Sequence, residues 1–395
     1  MLRKSLLLKL FSAATLLRWN DKIRPLDLTE LDKQAHKMIL AWFIGKWEEE
    51  RGELDWIGLI EGGLFELLQR VVLTDLKPPL FYRIKSDPLR YGRLNDWVSD
   101  QLRPILAPLG ASFQKRFRDY FDEPEDSVHR RVLDAAHILA TRWEFDILYR
   151  MNPGGFEMEA IRERLSRTSE GFGDLQGMAM IREDENSRRF IDLCGQLRFQ
   201  VRWANIHRTP RTSVLGHSLI VAFLSYLLSV QLGACKARRV NNFLTGLFHD
   251  LPEVLTRDVI SPVKRSIEGL DALIREYERE MMEQDFYGLL PEAWRSEMKL
   301  FAEDEFENIV KIDGEPRRVG SGEIGRLYNE DRCGPRDGEL VKASDRLAAF
   351  LEAYLGIRNG SAAPELHEAL WAIRNEQAQL SIGGIDLGGI YADFD

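Results

Sequence analysis

Three observations predict an all-α protein built as two tandem helical bundles. Apolar residues recur at three- and four-residue steps in Ala41–Trp47, Ile57–Val72, Val132–Leu148, Leu219–Leu232 and Val341–Leu355. Runs of alternating β-branched residues are nearly absent. The order of segments in the first half returns in the second.

Taken in order, the opening MLRKSLLLKLFSAATLL has the basic end and apolar run of a secretory signal. Lys9 interrupts the run, and the stretch parallels FIDLCGQLRFQVRW, an internal segment of the second half. That parallel favours Leu6–Leu17 as the first helix of the first bundle. Leu17-Arg18-Trp19 and then His36 precede one apolar helix; Val201-Arg202-Trp203 and then His217 precede another. Gly58–Phe81 parallels Gly246–Lys264, and Val132–Gly155 parallels Leu340–Gly360. Three matches in one order point to duplication. The predicted division is a bundle over 1–155, a linker over 156–185 rich in Gly and polar residues, and a second bundle over 186–395. Phe306–Ile312 followed by Asp313-Gly314 predicts one arm of a small hairpin. Gly314–Glu339 reads as a long loop or flap within 306–339.

A net charge of -9 argues against a broad electrostatic footprint for duplex nucleic acid. Three cysteines without CxxC spacing fit a reducing cytoplasm better than a disulfide framework. The sequence reading finds no stretch suited to spanning a bilayer and expects no membrane partner.

The chemistry concentrates in the second half. His217 opens a helix in which Ile220, Val221, Leu224 and Leu228 share its face, so the imidazole points inward. His249-Asp250 closes another apolar segment, and Asp345 lies in a third beside Ala348 and Ala349. Singly, each has a plain reading: a satisfied core histidine, a chance dipeptide, a salt bridge to Lys342 or Arg346. As a set on separate helices, two imidazoles and two carboxylates suit one divalent metal with open positions.

These residues, with Arg202-Trp203, LPEVLTRDVISPVK (Leu251–Lys264) and KASDRLAAFLEA (Lys342–Ala353), resemble the HD-domain metal-dependent phosphohydrolases, in particular their bacterial 5'-deoxynucleotidase-like branch. The resemblance covers about Arg189–Gly360, with the first half a degenerate HD-like copy. It implies one divalent metal (Mn, Co, Mg, Ni or Zn) on His217, His249, Asp250 and Asp345. It implies that Glu253 assists the attacking water, that Arg202 meets the phosphate, and that Trp203 and Asp258 face the sugar of a nucleotide. Arg257 replaces the small Gly usual in the family, and Ser261 stands where Thr is common. The gap from Asp250 to Asp345 is lengthened by an insertion carrying Arg317, Arg318, Arg326, Arg332 and Arg336. Those arginines read either as a solvated loop or as a flap over an anionic substrate.

In the first half the set is broken. His36 is paired with His217, His137 with Asp345, and Glu61-Gly62 with His249-Asp250; Asp75 loosely echoes Asp258. A metal on His36, Glu61 and His137 would lack ligands. The expected activity is hydrolysis of a phosphate monoester, foremost a (deoxy)nucleoside 5'-monophosphate, by metal-activated water. A phosphodiesterase or triphosphohydrolase, and a non-catalytic nucleotide-sensing regulator, are the alternatives. Homodimerisation is left open.

Overall fold

The computed structural model describes residues 1–52, 54–74, 76–123, 126–257 and 267–395. It is mainly helical with short antiparallel hairpins, and it divides into two compact units. The first comprises Met1–Phe172 with Ile385–Asp395, and the second Gly173–Gly384.

In the first unit, α1 (Lys4–Phe11) buries Leu6, Leu7, Leu10 and Phe11. The expected amphipathic helix is therefore a core element of this unit. A two-residue strand pair, β1 (Leu17–Arg18) with β2 (Leu28–Thr29), leads into α2 (Glu30–Glu49). Thr29 caps that helix by accepting from the backbone of Asp32. Every residue of α2 from Glu30 to Gly45 is buried, so its charged groups must find partners inside the protein. Helices α3 (Trp56–Leu73), α4 (Pro78–Lys85), α5 (Pro88–Leu106), α6 (Ala111–Tyr120) and α7 (Val128–Met151) complete the bundle, with α2 and α3 packed along α7.

The stretch predicted as a linker is instead largely helical. In α8 (Met158–Glu170), Met158, Ile161 and Leu165 join a core with Leu28, Phe145 and Leu148. Their three- and four-residue apolar spacing was hidden among polar neighbours. The chain end also departs from the predicted boundary. Ile385–Asp395 belongs to the first unit, where Asp393 accepts from Lys4 N at 2.6 Å.

In the second unit, α9 (Gln176–Glu183) and α10 (Glu185–Gln196) precede the Arg202-Trp203 loop. Next comes α11 (Val214–Gln231), capped by Ser213, which accepts from Gly216 N at 2.9 Å. By length and composition this helix could cross a bilayer, with mean hydropathy 1.7, which corrects the sequence reading. Its apolar run is explained by position, since 89 % of it is buried inside the protein. Helix α12 (Lys236–Phe248) lies against α11 so closely that a Cβ on Gly246 would meet the Ala222 backbone at 2.8 Å. Then follow α13 (Glu253–Thr256), α14 (Leu270–Met281), α15 (Glu292–Ala302), α16 (Ser321–Leu327), α17 (Gly338–Arg358) and α18 (Pro364–Gln377). Helices α12 and α17 both pack on α11.

The hairpin forms where expected. β3 (Ile309–Ile312) pairs antiparallel with β4 (Glu315–Arg318). Asp313 and Gly314 at the turn have φ 52° and 86°, values that an Asp-Gly pair tolerates. The rest of the insertion is docked rather than a free flap. Arg336 is buried, exchanges backbone hydrogen bonds with Ile309, and donates to the carbonyls of Asp304 and Glu307. Arg318 meets Asp304 and Arg332 meets Glu330. Three of the five arginines thus serve the insertion itself, which corrects the flap reading for them.

Candidate metal centre

Three helices deliver the site. His217 is the fourth residue of α11, His249 caps the C-terminal end of α12, and Asp345 lies two turns into α17. One ligand atom from each lies within 4.8 Å of the others. His217 Nε2 is 3.0 Å from Asp345 Oδ1 and 3.8 Å from Asp250 Oδ2. His249 Nε2 is 3.3 Å from Asp250 Oδ1 and 4.0 Å from Asp345 Oδ1. The four predicted ligands are therefore brought together, with His217, His249 and Asp345 as the tightest group.

The ring orientations suit a metal. His249 Nδ1 lies 2.9 Å from the Gly246 carbonyl, which fixes the proton on that nitrogen. Its Nε2 is buried and makes no hydrogen bond, so a lone pair is aimed into the cluster. His217 bonds through the other nitrogen: its Nε2 meets Asp345 Oδ1 at 3.0 Å, while its buried Nδ1 makes no hydrogen bond and lies 3.3 Å from Glu352 Oε1. Carboxylates that steady the far nitrogen of a ligating imidazole are the usual support of such sites. Burial and the Arg202 charge oppose protonation of His217, yet Glu352 and Asp345 outweigh them and raise its pKa to about 9. Asp345 stays ionised despite burial because His217, His249 and Arg202 surround it. The pocket thus calls for a cation between its carboxylates and imidazoles.

Glu352 is the residue sequence reasoning missed. It is fully buried in α17, two turns beyond Asp345. It accepts from Trp203 Nε1 at 2.8 Å, Thr212 Oγ1 at 2.7 Å and Arg202 Nε at 3.3 Å. Burial alone would raise its pKa, but Arg202, His217 and Arg208 hold it well below the ordinary carboxylate range. Its available signal was a glutamate inside an apolar run, at helical spacing from Asp345. Arg202 spans from Glu352 to Asp250, whose Oδ2 lies 3.3 Å from Nη1. Trp203 holds a left-handed backbone at φ 58° that turns its indole toward Glu352. Glu253 begins α13, one turn past Asp250, its carbonyl taking a 2.7 Å bond from Gln200 Nε2. Asp258 and Ser261 lie outside the described residues.

The first unit repeats part of this pattern. Trp19 is left-handed at φ 55°, and Arg18 Nε and Trp19 Nε1 donate to buried Glu144 at 2.8 and 2.9 Å. The trio His36, Glu61 and His137, already short of ligands in the sequence, does not assemble there. His36 packs edge-on to Trp143, and Glu61 forms a two-bond pair with Arg116 at 2.7 and 2.8 Å. The fourth residue of α2 is Lys33, not His36, and its Nζ lies 2.7 Å from His137 Nδ1. By position in its helix, Lys33 and not His36 matches His217. Glu66 and Leu67 stand at the same distances before Thr74 as His249 and Asp250 do before Arg257, and both Thr74 and Arg257 have positive φ. Asp75 lies outside the described residues.

Residues 194–374 match the HD domain family. Over 180 residues the chain is 23% identical to a 5'-deoxynucleotidase of Pectobacterium atrosepticum, covering 45% of this chain and 77% of that protein. An HD domain with a His217/His249/Asp345 cluster supports a metal-dependent phosphohydrolase using one divalent ion.

Proposed function

We propose that the second unit hydrolyses a phosphate monoester, with a (deoxy)nucleoside 5'-monophosphate the leading substrate. The observation that carries this is the convergence of His217, His249 and Asp345 within 4.8 Å inside the HD-matching segment. The similarity to a protein named 5'-deoxynucleotidase supports the nucleotide. When bound, the metal supplies Lewis-acid polarisation of a phosphoryl oxygen and acidifies water for attack on phosphorus.

The chain's own residues do the rest. His217, His249, Asp250 and Asp345 hold the ion. Arg202 offers a planar fork to the phosphate oxygens, its orientation set by Glu352 and Asp250. Trp203 borders the sugar, and Asp258 is assigned to the same side. Glu253 takes the proton of the attacking water; its backbone N bonds Asp250 O at 3.1 Å, which keeps it beside the ligand pair.

The first unit is read as a degenerate HD-like copy. This is supported by the shared Arg-Trp-Glu tie and the paired left-handed tryptophans. A reducing cytoplasm is the proposed location, supported by three free cysteines.

The test is phosphate release from nucleoside mono-, di- and triphosphates and cyclic dinucleotides, with Mn, Co, Mg, Ni and Zn supplied separately. Release from 5'-monophosphates alone is expected. Turnover confined to triphosphates or cyclic dinucleotides would replace the monoester reading.

A further inference from the structure

The two oxygens of the buried Glu352 carboxylate face different groups. Oε2 accepts from Trp203 Nε1 at 2.8 Å and from Arg202 Nε at 3.3 Å, on the side assigned to substrate. Oε1 accepts from Thr212 Oγ1 at 2.7 Å and lies 3.3 Å from His217 Nδ1, on the side of the metal ligands. A His217 that gives Nε2 to an ion carries its ring proton on Nδ1, and Oε1 is the carboxylate oxygen beside it. The placement of Oε1 therefore governs how firmly that imidazole is held.

Oε1 is fixed from behind by a relay. Buried Arg208 donates through Nη1 to the Pro210 carbonyl at 2.7 Å and through Nη2 to Thr212 Oγ1. A guanidinium has no acceptor, so the hydroxyl that it feeds must send its own proton elsewhere, and Glu352 Oε1 receives it. Thr212 is buried too, which makes this bond costly to lose.

The first unit supplies a control. Its entry loop keeps the same register, since Leu17 pairs with Thr29 as Val201 bridges Ser213. Arg18 accordingly faces Leu28, while Arg202 N bonds Thr212 O at 2.9 Å. The place of Thr212 is thus taken by Leu28, an apolar side chain in the core with Phe145 and Leu148. Arg24, five residues after Trp19 as Arg208 is after Trp203, turns to the Trp19 carbonyl and Asp27 instead. Arg18 Nε and Trp19 Nε1 nevertheless reach Glu144 Oε2 at 2.8 and 2.9 Å. The Arg-Trp-Glu tie therefore forms without a hydroxyl at this place. The hydroxyl stands in the unit whose fourth helical residue is His217 rather than Lys33.

We propose that Thr212 is a positioning residue for the metal, acting through Glu352. With Arg208 behind it, its hydroxyl holds Oε1 beside His217 Nδ1 and thereby sets how tightly the ion is bound. The proposal rests on reading His217 as a ligand, and it is independent of which phosphate ester is cleaved.

The experiment is calorimetric titration of the metal-stripped full chain, with manganese and with cobalt as the probes. Thr212→Val keeps the shape and removes the hydroxyl, whereas Thr212→Ser returns it. Thr212→Val should bind both ions about tenfold more weakly than wild type, and Thr212→Ser should stay within about threefold. Thermal melts of the same samples establish that they are folded; should Thr212→Val not fold, Thr212→Ala should show the same loss. A folded variant without the hydroxyl that binds as tightly as wild type would overturn the role, as would Thr212→Ser binding as weakly as Thr212→Val. Wild type that binds neither ion would sink the metal reading and this role with it. A loss in Thr212→Val without phosphate release from any screened nucleotide would uphold the role and sink the hydrolase reading alone.

Discussion

The loops that enter α2 and α11 carry the same Arg-Trp pair, the same left-handed tryptophan and the same ties to a buried glutamate on a later helix. The groups those helices then present differ completely. In the second unit the fourth residue of α11 is His217, facing Asp345 across 3.0 Å. In the first it is Lys33, facing His137 across 2.7 Å. One backbone device thus supports a cation-seeking pocket in one unit and a cation-bearing pocket in the other. The scaffold and the charge it displays are separable, so fold likeness alone does not carry chemistry.

The largest expected effect that could break this contrast comes from Asp250→Ala. Metal content should fall from one ion per chain to none, and turnover should fall below detection, as read by elemental analysis and phosphate release. An ion retained after that change would show that His217, His249 and Asp345 hold it without Asp250.

Next come the two glutamates. Glu352→Gln should weaken metal binding by about 10–100-fold, because His217 loses its steadying carboxylate. Glu144→Gln should leave metal affinity alone. It should instead destabilise the first unit by up to about 3–5 kcal/mol, since Arg18 loses a buried charge partner. Parallel metal titrations and denaturant melts would show whether the two losses cross over as stated.

The pH dependence of the first unit sharpens the contrast further. Burial, with Arg18 and Lys37 adding to it against the opposing pull of Glu30, lowers the pKa of Lys33 from 10.5 to about 7. Between those values the unfolded chain binds a proton that the folded chain does not. Stability should therefore rise as pH goes from about 7 to about 10, and the contribution is flat below 7, where both states are protonated. Lys33→Met should flatten that rise in melts followed across the window. An equal rise in the variant would assign it to other groups.

The smallest effects sit at the helix caps. Thr29→Ala and Ser213→Ala should each cost about 1 kcal/mol. Only Ser213→Ala should also weaken metal binding, since His217 lies on the turn that Ser213 caps.

Much of the site was legible because its residues break a pattern. A histidine or aspartate on an apolar helix face is costly unless bound, and His217, His249, Asp250 and Asp345 all stood out that way. Glu352 obeys the same rule yet went unassigned, because its partners Trp203 and Thr212 lie far away in sequence. Lys33 was hidden by resemblance, since His36 drew the match to His217. Counting fourteen residues from Trp19, as from Trp203 to His217, leads to Lys33. The helical character of α8 was masked by polar residues that face solvent around three buried ones. The docking of the insertion was unreadable because Arg336 is held by carbonyl groups, which leave no trace in a sequence.

The close approach at Gly246 has a consequence for metal choice. Manganese, cobalt, nickel and zinc compete for imidazole and carboxylate with affinities that ligand identity alone does not rank usefully in a cell. They differ in the bond lengths and geometry they accept, with tolerances of about 0.2 Å. The spacing of His217 from His249 depends on how near α12 lies to α11, and that is set where Gly246 meets the Ala222 backbone. This glycine works as a gauge. Widening the gap by one methyl group would retune which ion the enzyme selects while leaving every ligand in place.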